Sequence, residues 1–203
     1  MWDRPDMETA DPTQADAPHY SFRTSMMGPP HEFRLAADAL EWTAGRRSGR
    51  VPYAAVQRVR LSFRPLSLQT HRFIAEIWGS GQPKLTIAST SWKSLVEQQR
   101  QDGAYRAFLT EFHRRVAAQA PGASYETGTA AFIYWPGVIL FSGLLFGFAF
   151  LVVQALLEQS WAGALFIGVF GAVFVHQMGG FFWRNRPGRY DPAQMPDHVL
   201  PRG

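Results

Sequence analysis

The hydrophobic pattern divides the chain into short alternating runs followed by two long unbroken ones. From Thr127 to Leu157 there is no Asp, Glu, Lys or Arg, and from Gln159 to Trp183 there is again none. A bilayer core is about 30 Å thick and a helix rises about 1.5 Å per residue, so roughly 20 apolar residues cross it. Segments 130–158 and 161–183 both meet that length. Phe, Leu, Val, Ile, Gly and Ala cover every face of both, whereas a long helix of a soluble domain keeps a polar stripe. Between Leu157 and Trp161 stand only Glu158, Gln159 and Ser160, so the two helices must be antiparallel neighbours. In lipid the backbone must satisfy its own hydrogen bonds, which makes helix the expected form despite many Val and Phe residues.

Upstream the period falls to two. Glu32-Phe33-Arg34-Leu35 alternates, as does Ala39-Leu40-Glu41-Trp42-Thr43. Arg50-Val51-Pro52-Tyr53 follows, its proline suiting a strand end. Val59, Leu61 and Phe63 alternate with Arg58, Arg60, Ser62 and Arg64, the pattern of a half-buried strand with one cationic face. Arg72–Trp78 and Lys84–Ala88 make two more strands, joined through the turn Gly79-Ser80-Gly81-Gln82-Pro83. After Ser89 the period changes. Tyr105, Phe108, Leu109, Phe112 and Val116 recur at three and four residues, one apolar helix face that Pro121 and Gly122 end.

The predicted fold class is therefore α+β: a small antiparallel β-sandwich or barrel of six or seven strands, capped by a helix, then a two-helix transmembrane hairpin. The divisions are 1–19, an acidic disordered tail; 20–118, the β-domain; 119–129, a linker; 130–158 and 161–183, the spans; and 184–203, a Pro-rich tail.

Charge adds orientation. Residues 1–19 hold five acids against Arg4 alone, and residues 20–120 hold fifteen Lys or Arg against seven acids. The acidic tail is a solvated end or, on charge sign, a shield that folds back on the basic domain. The loop at Glu158 carries no Lys or Arg; Arg114 and Arg115 precede the first span, and Arg184, Arg186 and Arg189 follow the second. Basic flanks stay cytoplasmic, so both termini are expected there, with two spans in the inner (plasma) membrane. Tyr134, Trp135, Trp161, Phe181, Phe182 and Trp183 fall at the expected interfaces. Residues 1–19 lack the apolar core of a signal peptide, leaving the first span to direct insertion. The 203 residues include no cysteine, which removes disulfides, thiolate metal sites and a cysteine nucleophile.

The order of parts then resembles a known family. A run of strands, a basic turn, the phrase Arg50-Val51-Pro52-Tyr53-Ala54-Ala55-Val56-Gln57-Arg58-Val59, further strands and one closing amphipathic helix are similar to the bacterial pleckstrin-homology-like domains that carry membrane segments. The tail Asn185-Arg186-Pro187-Gly188-Arg189-Tyr190-Asp191-Pro192 resembles the ends of such proteins. The resemblance implies a seven-stranded bent sheet capped by a C-terminal helix, and no catalytic activity.

Candidate chemistry is sparse. The histidines are His19, His31, His71, His113, His176 and His198, with no two at i, i+3 or i, i+4 and no neighbouring acids in ligand spacing. A zinc site needs three or four converging ligands, so no metal or other cofactor is expected. No phosphate loop follows a strand and opens a helix. Within the spans, His176 and Gln154 are polar; they either meet water and headgroups near the helix ends or mark an ion path. Gly143 with Gly147, and Gly168 with Ala172, are small pairs that either pack the two spans together or join two hairpins. Arg46, Arg47 and Arg50, in the turn 45–49, with Arg58 and Arg60, are candidates for anionic lipid or partner binding; a solvated arginine face is the competing reading. The expected function is a non-catalytic membrane adaptor offering its β-domain to a protein partner. Membrane lipids and a second copy are further candidate partners, and nucleic acid is not one. A lipid-headgroup sensor using the arginine turn and a small channel or transporter subunit are the alternatives.

Overall fold

Alternation and a change of period predict antiparallel strands and a capping helix, and the computed structural model, which describes residues 17–25, 27–65, 71–93 and 98–201, is α+β with antiparallel sheets, its described strands numbering eleven where six or seven were expected. The reading of the acidic tail falls, except at its last residues, outside the described residues. Strands β1 (His19–Phe22), β2 (His31–Leu35), β3 (Ala39–Ala44) and β4 (Arg47–Pro52) form an antiparallel meander in chain order. Pro52 ends β4, and a single turn of 3-10 helix over Tyr53–Ala55 carries the chain to the second sheet. There β5 (Val56–Pro65), β6 (His71–Gly79) and β7 (Leu85–Ala88) form a second antiparallel meander. A small hairpin, β8 (Thr90–Trp92) with β9 (Gln98–Arg100), leads to helix α1 (Asp102–Gln119). Among the described residues the two main sheets share no strand, and no closed barrel forms.

The inward positions of both sheets and one face of α1 make a single core. Phe33, Leu35, Leu40, Val51, Val59, Leu61, Ala75, Ile77 and Ile87 meet Tyr105, Phe108, Leu109, Phe112 and Val116, all at 5 % exposure or less. The five α1 residues are the ones whose three-and-four spacing predicted the apolar face. Arg115 fastens α1 to the first sheet by donating to the carbonyls of Leu35 (2.9 Å) and Ala36 (2.6 Å).

Two segments depart from the sequence reading. Residues 119–129, read as a linker, contain β10 (Ser124–Thr127), which pairs in parallel with β5 from Ser124↔Arg58 to Thr127↔Leu61. The tail 184–203, read as Pro-rich and cytoplasmic, returns through the short β11 (Gly188–Arg189), which pairs antiparallel with β10. Its Val199 and Leu200, at 0 % and 1 % exposure, complete the core. The physical reason is burial: Tyr125, Thr127, Val199 and Leu200 have an apolar surface to cover, and an alternating four-residue run can join any sheet with an open edge.

Helices α2 (Ala131–Leu157) and α3 (Trp161–Arg184) follow, long and apolar enough to cross a membrane. Their boundaries fall within one residue of the expected segments. Gln159 sits at φ 56° in the turn, the left-handed position that lets a helix stop and reverse. The helices do not meet through their small pairs. A substituent on Gly143, Gly147 or Gly168 would find no heavy atom within 4 Å, and Ala172 is exposed. The contact is a run of rings instead: Phe141–Phe174 at 5.6 Å, Phe141–Phe182 at 5.1 Å, Phe148–Phe170 at 5.7 Å and Phe148–Phe174 at 5.8 Å. Offset and edge-on rings at such distances are favourable in themselves. Gly171 lies under Phe148, Gly137 under Phe182 and Gly163 beside Ala155, so the interface uses small residues other than the predicted pairs. The reading of Gly143, Gly147, Gly168 and Ala172 as intra-hairpin packing is corrected accordingly: spacing identifies a face but not its partner.

Candidate functional site

Two regions of the head hold the cationic residues, and the strand directions put them at opposite ends. The first end is the foot, where the apolar helices join. Leaving β10, Gly128 turns at φ 74° and donates its amide to the Leu61 carbonyl at 2.7 Å. Thr129 donates to the Asn185 carbonyl at 3.0 Å, and the Phe63 amide donates to Asn185 Oδ1 at 3.2 Å. Asn185, the residue after α3, is 1 % exposed. It extends the β5 ladder where β10 stops, so both covalent ends of the hairpin are hydrogen-bonded to one strand. The Arg184 guanidinium lies 4.7 Å from the centre of the Phe63 ring. Arg64 and Arg72 are cross-strand partners at this same end, and burial, then Arg64, lowers the pKa of Arg72.

The second end is the far one. Val51 of β4 touches Gly79, and Arg47 lines a cavity with Pro83, Lys84 and Leu85. His71 and Gly79 are the two ends of the nine-residue β6, about 26 Å apart at 3.3 Å per residue. His71 lines a cavity with Trp183, at the foot. Arg46, Arg47 and Arg50 therefore sit across the end of the head away from the helices. All three are exposed. Arg50 is ion-paired with Asp38, while the side chains of Arg46 and Arg47 have no hydrogen bond or ion pair among the described residues. The turn falls between β3 and β4 and consists of Gly45, at φ 63°, and Arg46. It thus follows the third strand. Arg47 lines a cavity of about 220 Å³ together with His31, Phe33, Trp42, Lys84 and Leu85 among others. Trp42 stands opposite Gly49 in register, and a Cβ there would lie 2.9 Å from the indole. The indole Nε1 is buried without a hydrogen-bond partner among the described residues.

Arg58 and Arg60 belong to neither end. They stand on the outer face of β5, where Arg58 stacks 4.3 Å from the Trp78 ring centre and Arg60 lies 5.3 Å from it. Arg60 bonds Glu126 at 2.5 Å. The five arginines grouped by sequence thus form two separate sets. Among the membrane-helix candidates, His176 and Gln154 are both exposed and point away from the ring contact between the helices.

One buried polar pair is not among the candidate site residues read from the sequence. His113, fully buried on α1, donates from Nδ1 to the Leu109 carbonyl at 2.7 Å, so its Nε2 accepts from the Tyr190 hydroxyl at 2.7 Å. Burial pushes its pKa down to about 4, against the opposing Leu109 hydrogen bond. The hydroxyl of Tyr190 is pushed up by burial and then by Tyr125. This pair locks the returning tail onto α1, and Arg106 adds bonds to Asp197 (2.8 Å) and the Pro201 carbonyl (3.1 Å). An i, i+4 apolar face that includes position 113, one residue after Phe112, is the signal that could have found it.

Among the described residues no three of His, Cys, Asp or Glu converge as metal ligands. Compared with protein-family models, curated proteins and solved structures, the chain matches none of them.

Proposed function

We propose that the protein is a membrane-anchored, non-catalytic adaptor of the inner membrane, with both termini cytoplasmic. Its pleckstrin-homology-like head offers the end that carries the β3–β4 hairpin to a protein partner. A four-strand meander, a three-strand meander and one closing helix are the parts that reading requires. The observation that carries it is the position of Arg46 and Arg47: exposed, without an ion pair among the described residues, Arg47 lining a cavity, and about 26 Å along β6 from the helices. At that distance from a bilayer a lipid headgroup is out of reach, and an acidic or carbonyl-rich protein surface is the complementary ligand.

Photo-crosslinking in native membranes tests this. A crosslinker at Ser48 should give a discrete adduct that disappears when Arg46 and Arg47 are changed to Glu. An adduct indifferent to that charge reversal refutes the reading. Because the chain has no cysteine, Ser160→Cys gives a clean topology probe. An impermeant thiol reagent should label it only from outside the cell.

A further inference from the structure

The foot of the head carries guanidinium groups that form no ion pair among the described residues. Trp183, 70 % exposed, stands between two cavities. One, about 380 Å³, is lined by His71, Arg100, Arg184, Asp197 and His198 together with Trp183. The other, about 400 Å³, is lined by Arg186, Arg189, Tyr190 and His198, again with Trp183. Arg100 is ion-paired with Asp102, and the one lining carboxylate, Asp197, is taken by Arg106. Arg184, Arg186 and Arg189 form no ion pair among the described residues; Glu126, the cross-strand partner of Arg189, is held by Arg60. His71 Nδ1 is buried with no hydrogen-bond partner among them. Burial and then the Arg184 charge lower the pKa of His198, against the opposing charge of Asp197.

Three guanidinium groups within six residues, Arg184 half-buried and Arg186 and Arg189 exposed, stand next to an apolar helix and attract a counter-anion. A guanidinium fork fits phosphate oxygens in a bidentate way. Indole rings favour headgroup depth, so Trp183 sets the height of the collar. We propose that the collar around Trp183 binds the phosphate headgroup of an anionic phospholipid in the leaflet facing the head. Arg184, His71 and His198 hold it on one side, and Arg186 and Arg189 on the other. Lipid is the source, rather than free phosphate, because exposed Val169, Val173 and Trp183 of α3 offer an apolar wall that only acyl chains use. The site is separate from the far-end hairpin, and it rests on the reading of α2 and α3 as membrane spans.

The test uses the full chain in mild detergent with equal amounts of phosphatidylglycerol and phosphatidylcholine, reading bound lipid by native mass spectrometry. Phosphatidylglycerol should be retained in preference. Each guanidinium removed should lower its retention about fivefold, the worth of one surface charge at an anionic membrane. Arg186→Gln with Arg189→Gln is the first variant, since both side chains are exposed and folding is preserved. Arg184→Gln is the second, and Arg46→Gln with Arg47→Gln should change nothing. Equal retention of the two lipids, or unchanged retention in both foot variants, overturns the proposal. So does inorganic phosphate that raises the melting temperature as much as the lipid does. A chain that stays in the aqueous phase without detergent defeats the spanning reading itself; one that needs detergent but shows no lipid preference defeats the collar alone.

Discussion

Gly128→Ala should detach the helix pair from the head sheet. Gly128 holds φ 74°, where an L side chain costs about 1–2 kcal/mol. A Cβ there would lie 2.2 Å from the Asn185 carbonyl oxygen and 2.5 Å from that of Arg186, both backbone atoms with no rotamer to yield. The chain after α3 must therefore move. Three hydrogen bonds depend on that contact: Gly128 to Leu61, Thr129 to Asn185, and Phe63 to Asn185 Oδ1. At about 1 kcal/mol net for each bond, the total with the backbone strain is roughly 4–5 kcal/mol. For a chain of this size that corresponds to a fall in melting temperature on the order of 10 °C. Melting in detergent, with hydrogen exchange read at the amides of Phe63 and Thr129, measures it. Both amides should lose protection while those of β2 and β3 keep theirs. A variant with wild-type melting and unchanged protection at Phe63 would show that the foot is not held in this way.

His113 sets a pH dependence with a definite sign. Its folded pKa, about 4, lies below the ordinary 6.5, so the unfolded chain takes up the proton first. The stabilisation is complete above pH 6.5 and drains away as pH falls towards 4, at most about 3 kcal/mol. Denaturant melts at pH 7 and pH 5 should differ, and His113→Gln should flatten that difference; an equal difference in the variant refutes the assignment. Tyr190→Phe removes the hydroxyl and leaves Nε2 buried without a donor, costing about 1–2 kcal/mol by thermal melt. Leu200→Ala should cost about 2–4 kcal/mol if the tail belongs to the core, and almost nothing if it is a free end. In the hairpin, Gly171→Leu should separate α2 from α3 because Phe148 already lies 3.6 Å from where its Cβ would be, while Gly147→Leu should be tolerated; matched losses would refute the ring-to-ring contact.

The parts legible in the sequence were those decided by neighbours a few residues apart. The alternation of Val59, Leu61 and Phe63, the spacing of Tyr105 through Val116, and the uncharged runs beyond Glu126 each reported a local period, and the corresponding elements formed. What escaped was decided at long range. Ser124–Thr127 alternates over only four residues, and nothing nearby reveals that β5, some sixty positions earlier, has an open edge for it. Val199 and Leu200 are two apolar residues among prolines, without a period of their own, yet the core needs them. The arginines of the β3–β4 turn and those of β5 are close in the chain but separate in space, since Pro52 and the 3-10 turn carry the backbone from one sheet to the other. The glycine pairs misled because a helix displays its small residues to every side.

The double hydrogen-bonded attachment at Leu61 and Phe63 makes the molecule a bracket and not a tether. A head on a slack cord would sweep a hemisphere and meet whatever drifted past. One bolted at both ends keeps a single height and compass bearing above its anchor. On the proposed adaptor reading, a partner embedded in the same bilayer would find the β3–β4 hairpin always at the same elevation.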